Sequence, residues 1–141
     1  MHPSIGWPDV VSAIVIALVF VLLMSLWPEP GRQRFNAVFV AGAGSAYFNG
    51  GLGAWDLLLP ALITTCAYLG LRSYRWIGVA WLLHASWDVA HHLWGAPILA
   101  FAPTSSAGCA VCDPLIALWF LAGAPSVYSM RRSGSIPSLP S

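Results

Sequence analysis

Residues 9–27, DVVSAIVIALVFVLLMSLW, carry a single charged side chain, and it is the first residue of the stretch. Four further stretches are also apolar, and each of the five has a length of about 15 to 20 residues, which suits a bilayer core of about 30 Å. They run over residues 9–27, 36–53, 56–72, 76–94 and 113–130. The sequence therefore predicts an all-α fold, a polytopic transmembrane bundle of about five helices.

The composition supports a membrane protein. Of 141 residues, 58% are hydrophobic and 8% are charged, and the mean hydropathy is +0.74. Soluble domains carry about 25% charged residues, so this chain cannot cover itself with a solvated surface. The net charge is +1, and the sequence has no run of like charges. This charge pattern excludes nucleic acid as a partner and leaves membrane lipids as the expected one.

The placement of the arginines predicts the orientation of the bundle. They form three pairs between or after the apolar segments: Arg32 and Arg34, Arg72 and Arg75, and Arg131 and Arg132. With five spans, all three pairs fall on one side, which the positive-inside rule assigns to the cytoplasm, with the N-terminus outside. A four-span arrangement, with 36–53 re-entrant, would place the second pair opposite the first. Five spans is therefore the favoured prediction.

The chain is short enough for one domain, predicted over residues 1–132. No Lys or Arg precedes residue 32, and no small-residue cleavage site follows the first apolar segment. We therefore expect no cleaved signal peptide, and the first segment should remain as a span. Residues 133–141 are rich in Ser, Pro and Gly and are predicted to be a disordered cytoplasmic tail. The expected location is the bacterial cytoplasmic (inner) membrane.

Four ligand-type side chains interrupt the fourth apolar segment: His84, Asp88, His91 and His92. At about 100° per residue, all four fall within one face about 100° wide, so they point at the same neighbour. Ionisable groups inside a spanning helix cost roughly 2.5 to 3.5 kcal/mol each, so they indicate a functional site. With the predicted topology, His84 lies near the middle of the bilayer and the other three lie nearer the outer face.

The i,i+4 spacing of His84 and Asp88 allows both side chains to bind one ion, and Asp88 and His92 form a second such pair. A zinc site usually has three or four protein ligands, so another helix must contribute. The best-placed donors are Asp113 and the cysteine pair Cys109 and Cys112, at the outer end of the fifth segment, and Asp56 is a weaker one. The sequence thus predicts a divalent metal site (Zn or Fe). Asp88 and Asp113 are the candidate catalytic residues, and Asn49 and Asp56 are further polar residues at the outer face.

Other interpretations of this face remain open. The side chains could form a structural hydrogen-bond network, His84 could be an axial ligand of haem or a pigment, or Asp88 and His84 could transfer protons. Cys109 and Cys112 form a CxxC motif on the outer side, where thiols oxidise, so a disulfide, a redox-active pair or thiolate ligation is expected.

The run Trp81–Ile98, followed by Pro103–Asp113, resembles a family of small uncharacterised bacterial integral membrane proteins with an HxxxDxxHH helix and a CxxCD motif. The resemblance implies a recurrent residue pattern and no activity. The CxxC at the start of a span is also similar to quinone-coupled disulfide reductases of the vitamin K epoxide reductase type. Those enzymes need a second outer cysteine pair, which this chain lacks.

These observations favour a small metal-dependent membrane enzyme that acts on a lipid or another apolar substrate. In such a site the ion would act as a Lewis acid or would generate a bound hydroxide. The alternative is a non-catalytic membrane subunit, a haem-, pigment- or ion-binding module, or a CxxC thiol redox protein. Such a protein could assemble as a homo-oligomer or as a subunit of a membrane complex.

Overall fold

The computed structural model describes residues 4–48 and 50–132, with the side chains from residue 130 onward not considered. Regular structure in this part of the chain is helical, apart from one isolated bridge between Leu99 and Ala102. The predicted tail at 133–141 lies outside the described residues. The helices are α1 (Trp7–Leu26), α2 (Gly31–Gly44), α3 (Trp55–Gly70), α4 (Tyr74–Trp94), α5 (Ser105–Leu121) and α6 (Val127–Arg132).

Local sequence explains where the long first helix begins and ends. Pro8 lies in the first turn of α1, where a missing backbone N–H costs no hydrogen bond. The Asp9 carboxylate accepts a hydrogen bond from the Gly6 backbone N–H at 2.8 Å, which ties the helix start to the preceding residue. The helix ends before Pro28, since proline disfavours the helical conformation of the residue that precedes it.

Helix α4 is at the centre of the bundle. It packs on α3, α5 and α2, while α1 packs on the outer side of α5. Consecutive helices from α1 to α5 alternate in direction, because the connections that join α1 to α2 and α3 to α4 are short. Four side chains with no exposed surface mark the core between these helices: Val40, Ile63, Ile77 and Phe120.

Glycines allow the helices to approach closely. A Cβ atom at Gly44 would lie 2.8 Å from Ile63 Cγ2, which brings α2 against α3. A Cβ atom at Gly78 would lie 2.8 Å from Leu121 Cγ and 3.0 Å from the Ala117 carbonyl oxygen, which brings α4 against α5. Small residues serve the same purpose at helix interfaces in bilayers.

Two helices differ in extent from the apolar segments that predicted them. α2 begins at Gly31, five residues before the segment at 36–53, and ends at Gly44, after which residues 45–48 form turns. It begins early because Arg32, in the first turn of α2, donates a hydrogen bond to Glu29, so the polar residues of that turn can be helical. The Gly-rich stretch that follows Tyr47 does not continue the helix.

The last apolar segment is divided between two helices. α5 begins at Ser105, eight residues before the predicted start at 113, and ends at Leu121. Pro114 therefore lies inside the helix and does not begin it. Gly123 and Ala124 have positive φ angles of 88° and 48°, and together with Pro125 they separate α5 from α6.

The two ends of the bundle differ in chemistry. The positions of all six arginines lie at one end, near the α1–α2 and α3–α4 connections and in α6. There the Glu29 carboxylate accepts hydrogen bonds from Arg32 and from the Tyr74 hydroxyl. Partial burial would raise the pKa of Glu29, but these two hydrogen bonds outweigh burial and lower the pKa below its ordinary value.

Within the described residues, one helix is both long and apolar enough to cross a membrane, namely α1. Helices α3 and α5 are apolar but shorter. Most of α1 is exposed: Ala13, Ala17 and Ser25 are its buried residues, and most of its large apolar side chains point outward, whereas Phe20 packs against the core. Those with at least two-fifths of their surface exposed include Val11, Ile14, Val15, Leu18, Val19 and Leu22.

The close approach of α4 and α5 gives a first prediction. Gly78→Ala should lower the thermal midpoint in detergent, because the added methyl group meets the Ala117 carbonyl and Leu121, and overpacking costs about 1 to 3 kcal/mol. Gly42→Ala is the matched control, since a Cβ atom there meets nothing within 4 Å. The control should keep or raise the midpoint, because alanine favours helix over glycine by about 1 kcal/mol. An equal effect of both substitutions would contradict the packing described for α4 and α5.

Candidate metal centre

Three side chains from two helices converge at the interface of α4 and α5. His84 Nδ1 lies 3.1 Å from Asp88 Oδ2 and 2.8 Å from Asp113 Oδ2. One nitrogen or oxygen ligand atom from each residue lies within 4.8 Å of the other two. All three residues are buried, with exposed fractions of 2%, 0% and 4% respectively. We refer to His84, Asp88 and Asp113 as the His–Asp cluster.

The helices explain why these three side chains meet. His84 and Asp88 are one turn apart on α4, so they share a face of that helix. Asp113 lies on α5 directly opposite, where Gly78 permits close contact between the two helix backbones one to two turns away. The structure therefore brings Asp113 to the face of α4 that carries His84 and Asp88. The cluster could hold a metal ion.

The hydrogen bonds of His84 restrict its protonation. Its Nε2 atom lies 2.9 Å from the Ala43 carbonyl oxygen. A carbonyl oxygen can only accept, so Nε2 must carry the proton of this bond. Nδ1 is then either protonated, in an imidazolium shared by the two carboxylates, or unprotonated, with its lone pair directed between the Asp88 and Asp113 oxygens. In both cases Nε2 is engaged with Ala43, which leaves Nδ1 as the ring nitrogen that could bind a metal.

The charge of the cluster depends on which of its groups are protonated. Two carboxylates and a neutral imidazole give −2, and an imidazolium still leaves −1 if both acids are ionised. Among the side chains that the structure describes, the arginine ion pair is that of Arg32 with Glu29, at the other end of the bundle. A buried negative charge without a partner is expensive. A divalent cation would neutralise the cluster, and so would an imidazolium together with one protonated carboxyl group.

Tyr47 and Ser106 extend the cluster, and neither was among the predicted residues. The Tyr47 hydroxyl donates to Asp88 Oδ1 at 2.6 Å and lies 2.8 Å from Ser106 Oγ. The Ile98 backbone N–H donates to Ser106 Oγ at 3.1 Å. This chain of contacts fixes the Asp88 carboxylate so that its other oxygen faces His84. The signal in the sequence is weak, since Tyr47 lies in a Gly-rich segment and Ser106 in a loop-like one.

His91 lies outside the cluster. Its Nε2 atom lies 3.0 Å from Asp56 Oδ1, and its ring stacks on the Tyr47 ring with centroids 3.9 Å apart. A Cβ atom at Gly50 or Gly95 would lie 2.2 Å from Cε1 or 2.4 Å from Nδ1 of this ring. His91 Nδ1, which has no hydrogen-bond partner among the described residues, is therefore covered by two glycine backbones. The His91–Asp56 pair holds the α2–α3 connection against the end of α4.

The remaining predicted residues are placed as follows. His92 is partly buried at the end of α4 and is not one of the three converging residues. Asn49 lies outside the described residues. Cys109 and Cys112 are free thiols in α5, one turn apart, and they also lie outside the group of three. Their oxidation or ligation stays a prediction.

Comparison with known proteins places the sequence in a family without assigning a function. No curated protein and no solved structure matches the sequence. Residues 8–126 match DUF6010, a family of unknown function, and this range contains His84, Asp88, Asp113 and their contacts. Because the match covers most of the chain, the protein belongs to the DUF6010 family of unknown function.

Proposed function

We propose that this protein is a small multi-pass membrane protein that binds one divalent metal ion at His84, Asp88 and Asp113. The observation that carries the proposal is the convergence of one imidazole nitrogen and two carboxylate oxygens, all buried and within 4.8 Å of one another. The bound ion would make the protein a metal-dependent enzyme acting on a lipid or another apolar substrate. Asp88 and Asp113 are then the residues closest to the chemistry.

The donor set suits zinc or ferrous iron. Zinc binds His nitrogen at about 2.0 to 2.1 Å and carboxylate oxygen at about 2.0 to 2.2 Å, so tetrahedral ligand atoms lie about 3.3 Å apart. The contacts of 2.8 and 3.1 Å in the cluster need only a small expansion to reach that spacing. Imidazole is also a ligand that suits iron. Three protein ligands leave a coordination position open, which is typical of catalytic rather than structural zinc sites. A metal there supplies Lewis-acid activation or a bound hydroxide.

The residues around the cluster would support such an ion. A metal-bound histidine usually donates its second N–H to a carbonyl or carboxylate, and His84 has this arrangement through Nε2 and Ala43. Tyr47 gives the same support to Asp88 through Oδ1. The competing interpretation is an imidazolium held by two carboxylates, in a non-catalytic membrane subunit. Hydrogen-bond distances alone are compatible with that network, so metal content is the decisive measurement.

Metal content in detergent-purified protein gives the second prediction. The wild type should carry about one Zn or Fe per chain by elemental analysis. Asp88→Asn and Asp113→Asn should each lower metal affinity at least 10- to 100-fold, since about that much is lost when a group that only hydrogen-bonds to a metal ligand is changed. His91→Gln should have a smaller effect, because its ring contacts Asp56 and not the cluster.

Glu29→Gln is the matched control for loss of a carboxylate, since Glu29 lies at the arginine-containing end and pairs with Arg32. It should leave metal content unchanged. Thermal midpoints of all variants separate loss of metal from loss of fold. A wild type that is folded but contains far less than one ion per chain would reject the metal site and favour the hydrogen-bond network.

We also propose five membrane crossings, with the N-terminus outside and the C-terminus in the cytoplasm of a bacterial inner membrane. The exposed apolar surface of α1 and the low content of charged residues support burial in lipid. The gathering of the arginine positions at one end of the bundle supports the orientation. The shorter helices α2, α3 and α5 would span about 21 to 26 Å at a rise of 1.5 Å per residue, which requires local thinning of the bilayer.

Reporter fusions give the third prediction. A reporter fused after Met130 should be active in the cytoplasm, and one fused near Ser105 should be active in the periplasm, because α5 crosses the membrane between the two positions. A fusion at Ser73, in the α3–α4 connection, should match the Met130 fusion, since both lie at the arginine-containing end. Identical compartments at Ser105 and Met130 would exclude a crossing by α5. Recovery of the full chain in the soluble fraction would reject membrane insertion altogether.

A further inference from the structure

A cavity of about 260 Å³ lies between α1, α5 and the segment that precedes α5. One end is polar, where Asp9 accepts a hydrogen bond from Thr104 at 2.9 Å. Deeper in the bundle the lining is apolar and includes Ala13, Ile16 and Cys112. The cavity therefore has a polar mouth at the end of the bundle and an apolar interior.

The size of the cavity restricts what it can hold. Pockets for drug-sized ligands begin at roughly 300 Å³, so this one accommodates a narrower group. A single alkyl or acyl chain fits a narrow apolar space with a polar mouth, whereas a two-chain lipid does not. Gly108 contributes to this space directly, because a Cβ atom there meets nothing within 4 Å.

The cavity and the His–Asp cluster lie on adjoining faces of α5. At about 100° per residue, Ser106 and Asp113 are about 20° apart, and Cys109 is about 40 to 60° from them on the side of the cavity. Cys109 lines the cavity and lies about one turn before Asp113 on α5. Its side chain is therefore positioned between the cavity and the cluster.

A second contact joins the cavity to the cluster. Ile98 lines the cavity, and its backbone N–H donates to Ser106, whose Oγ lies against the Tyr47 hydroxyl. Tyr47 in turn holds Asp88. One chain of hydrogen-bonded groups thus connects the wall of the cavity to the Asp88 carboxylate.

We propose that this cavity is a binding site for one alkyl or acyl chain, which enters at the polar mouth and passes Cys109. The cavity can bind an alkyl or acyl chain whether or not the proposed function is correct. The further step, that this alkyl or acyl chain is part of the substrate of the metal site, rests on the proposed function. The chain would then carry its reactive group at the depth of Cys109, on the face of α5 that adjoins the cluster.

Photo-crosslinking with a diazirine-labelled fatty acid of about ten carbons tests this site in the purified full-length protein. The crosslinks, mapped by mass spectrometry, should saturate with ligand and concentrate on Ile98, Leu99 and the first half of α5. Unlabelled decanoate should compete. Gly108→Leu should lower the yield at these residues at least tenfold, because the new side chain fills the cavity. Gly42→Leu, on α2 and away from the cavity, should leave the yield unchanged.

The metal-deficient variant Asp113→Asn separates this proposal from the metal site. It should retain saturable crosslinking even if it carries no ion, so failure of one proposal does not imply failure of the other. If Gly108→Leu does not fold, the wild-type map and its competition by decanoate decide the outcome alone. Crosslinks that do not saturate, or that spread over the exposed face of α1 at residues such as Leu18 and Leu22, would show ordinary contact with surrounding lipid and overturn the proposal.

Discussion

The structure depends on how two carboxylates and one imidazole are accommodated inside an apolar bundle. Asp88 and Asp113 both lie within hydrogen-bond distance of one nitrogen of His84, and all three side chains are buried. An isolated ion in such surroundings would cost several kcal/mol. The cost is tolerable only if every remaining lone pair and proton has a partner. Three different helices and the turn after α2 are arranged to supply those partners.

The end of α2 supplies two of them. The last carbonyls of a helix lack partners further along the chain, so they are available to other donors. Ala43 lies in the last turn of α2, and its carbonyl oxygen accepts from His84 Nε2 in addition to the Ala46 N–H. Four residues later the Tyr47 hydroxyl reaches Asp88. A longer α2 would engage the Ala43 carbonyl in its own helix and carry Tyr47 away from the cluster. The early end of this helix is thus part of the site.

Contacts between residues close together in the chain could be predicted from the sequence, and contacts between distant residues could not. The shared face of His84 and Asp88 requires only helical periodicity, and Asp113 was identified as a donor because it begins an apolar segment at the same predicted depth. Tyr47 and Ala43 each contact the cluster across 41 residues of chain, and Ser106 contacts Tyr47 across 59 residues. No local sequence pattern predicts such contacts. His91 shares the face of His84 by angle. It lies about 10.5 Å further along the axis, as seven residues at 1.5 Å each, and contacts Asp56 instead.

The boundaries of α5 also could not be predicted from local sequence alone. The segment Ser105–Cys112 consists of small residues without a clear apolar period, and Pro114 favours a helix start at that point when only local propensity is considered. Tertiary packing overrides that preference, because extending the helix back to Ser105 brings Ser106 to Tyr47 and leaves the Cys109 and Cys112 side chains on the cavity side. In an apolar environment a proline inside a helix is tolerated when neighbouring helices satisfy the freed carbonyl. The start of α5 at Ser105 therefore follows from its contacts on two sides, with the polar His–Asp cluster on one side and the apolar cavity on the other.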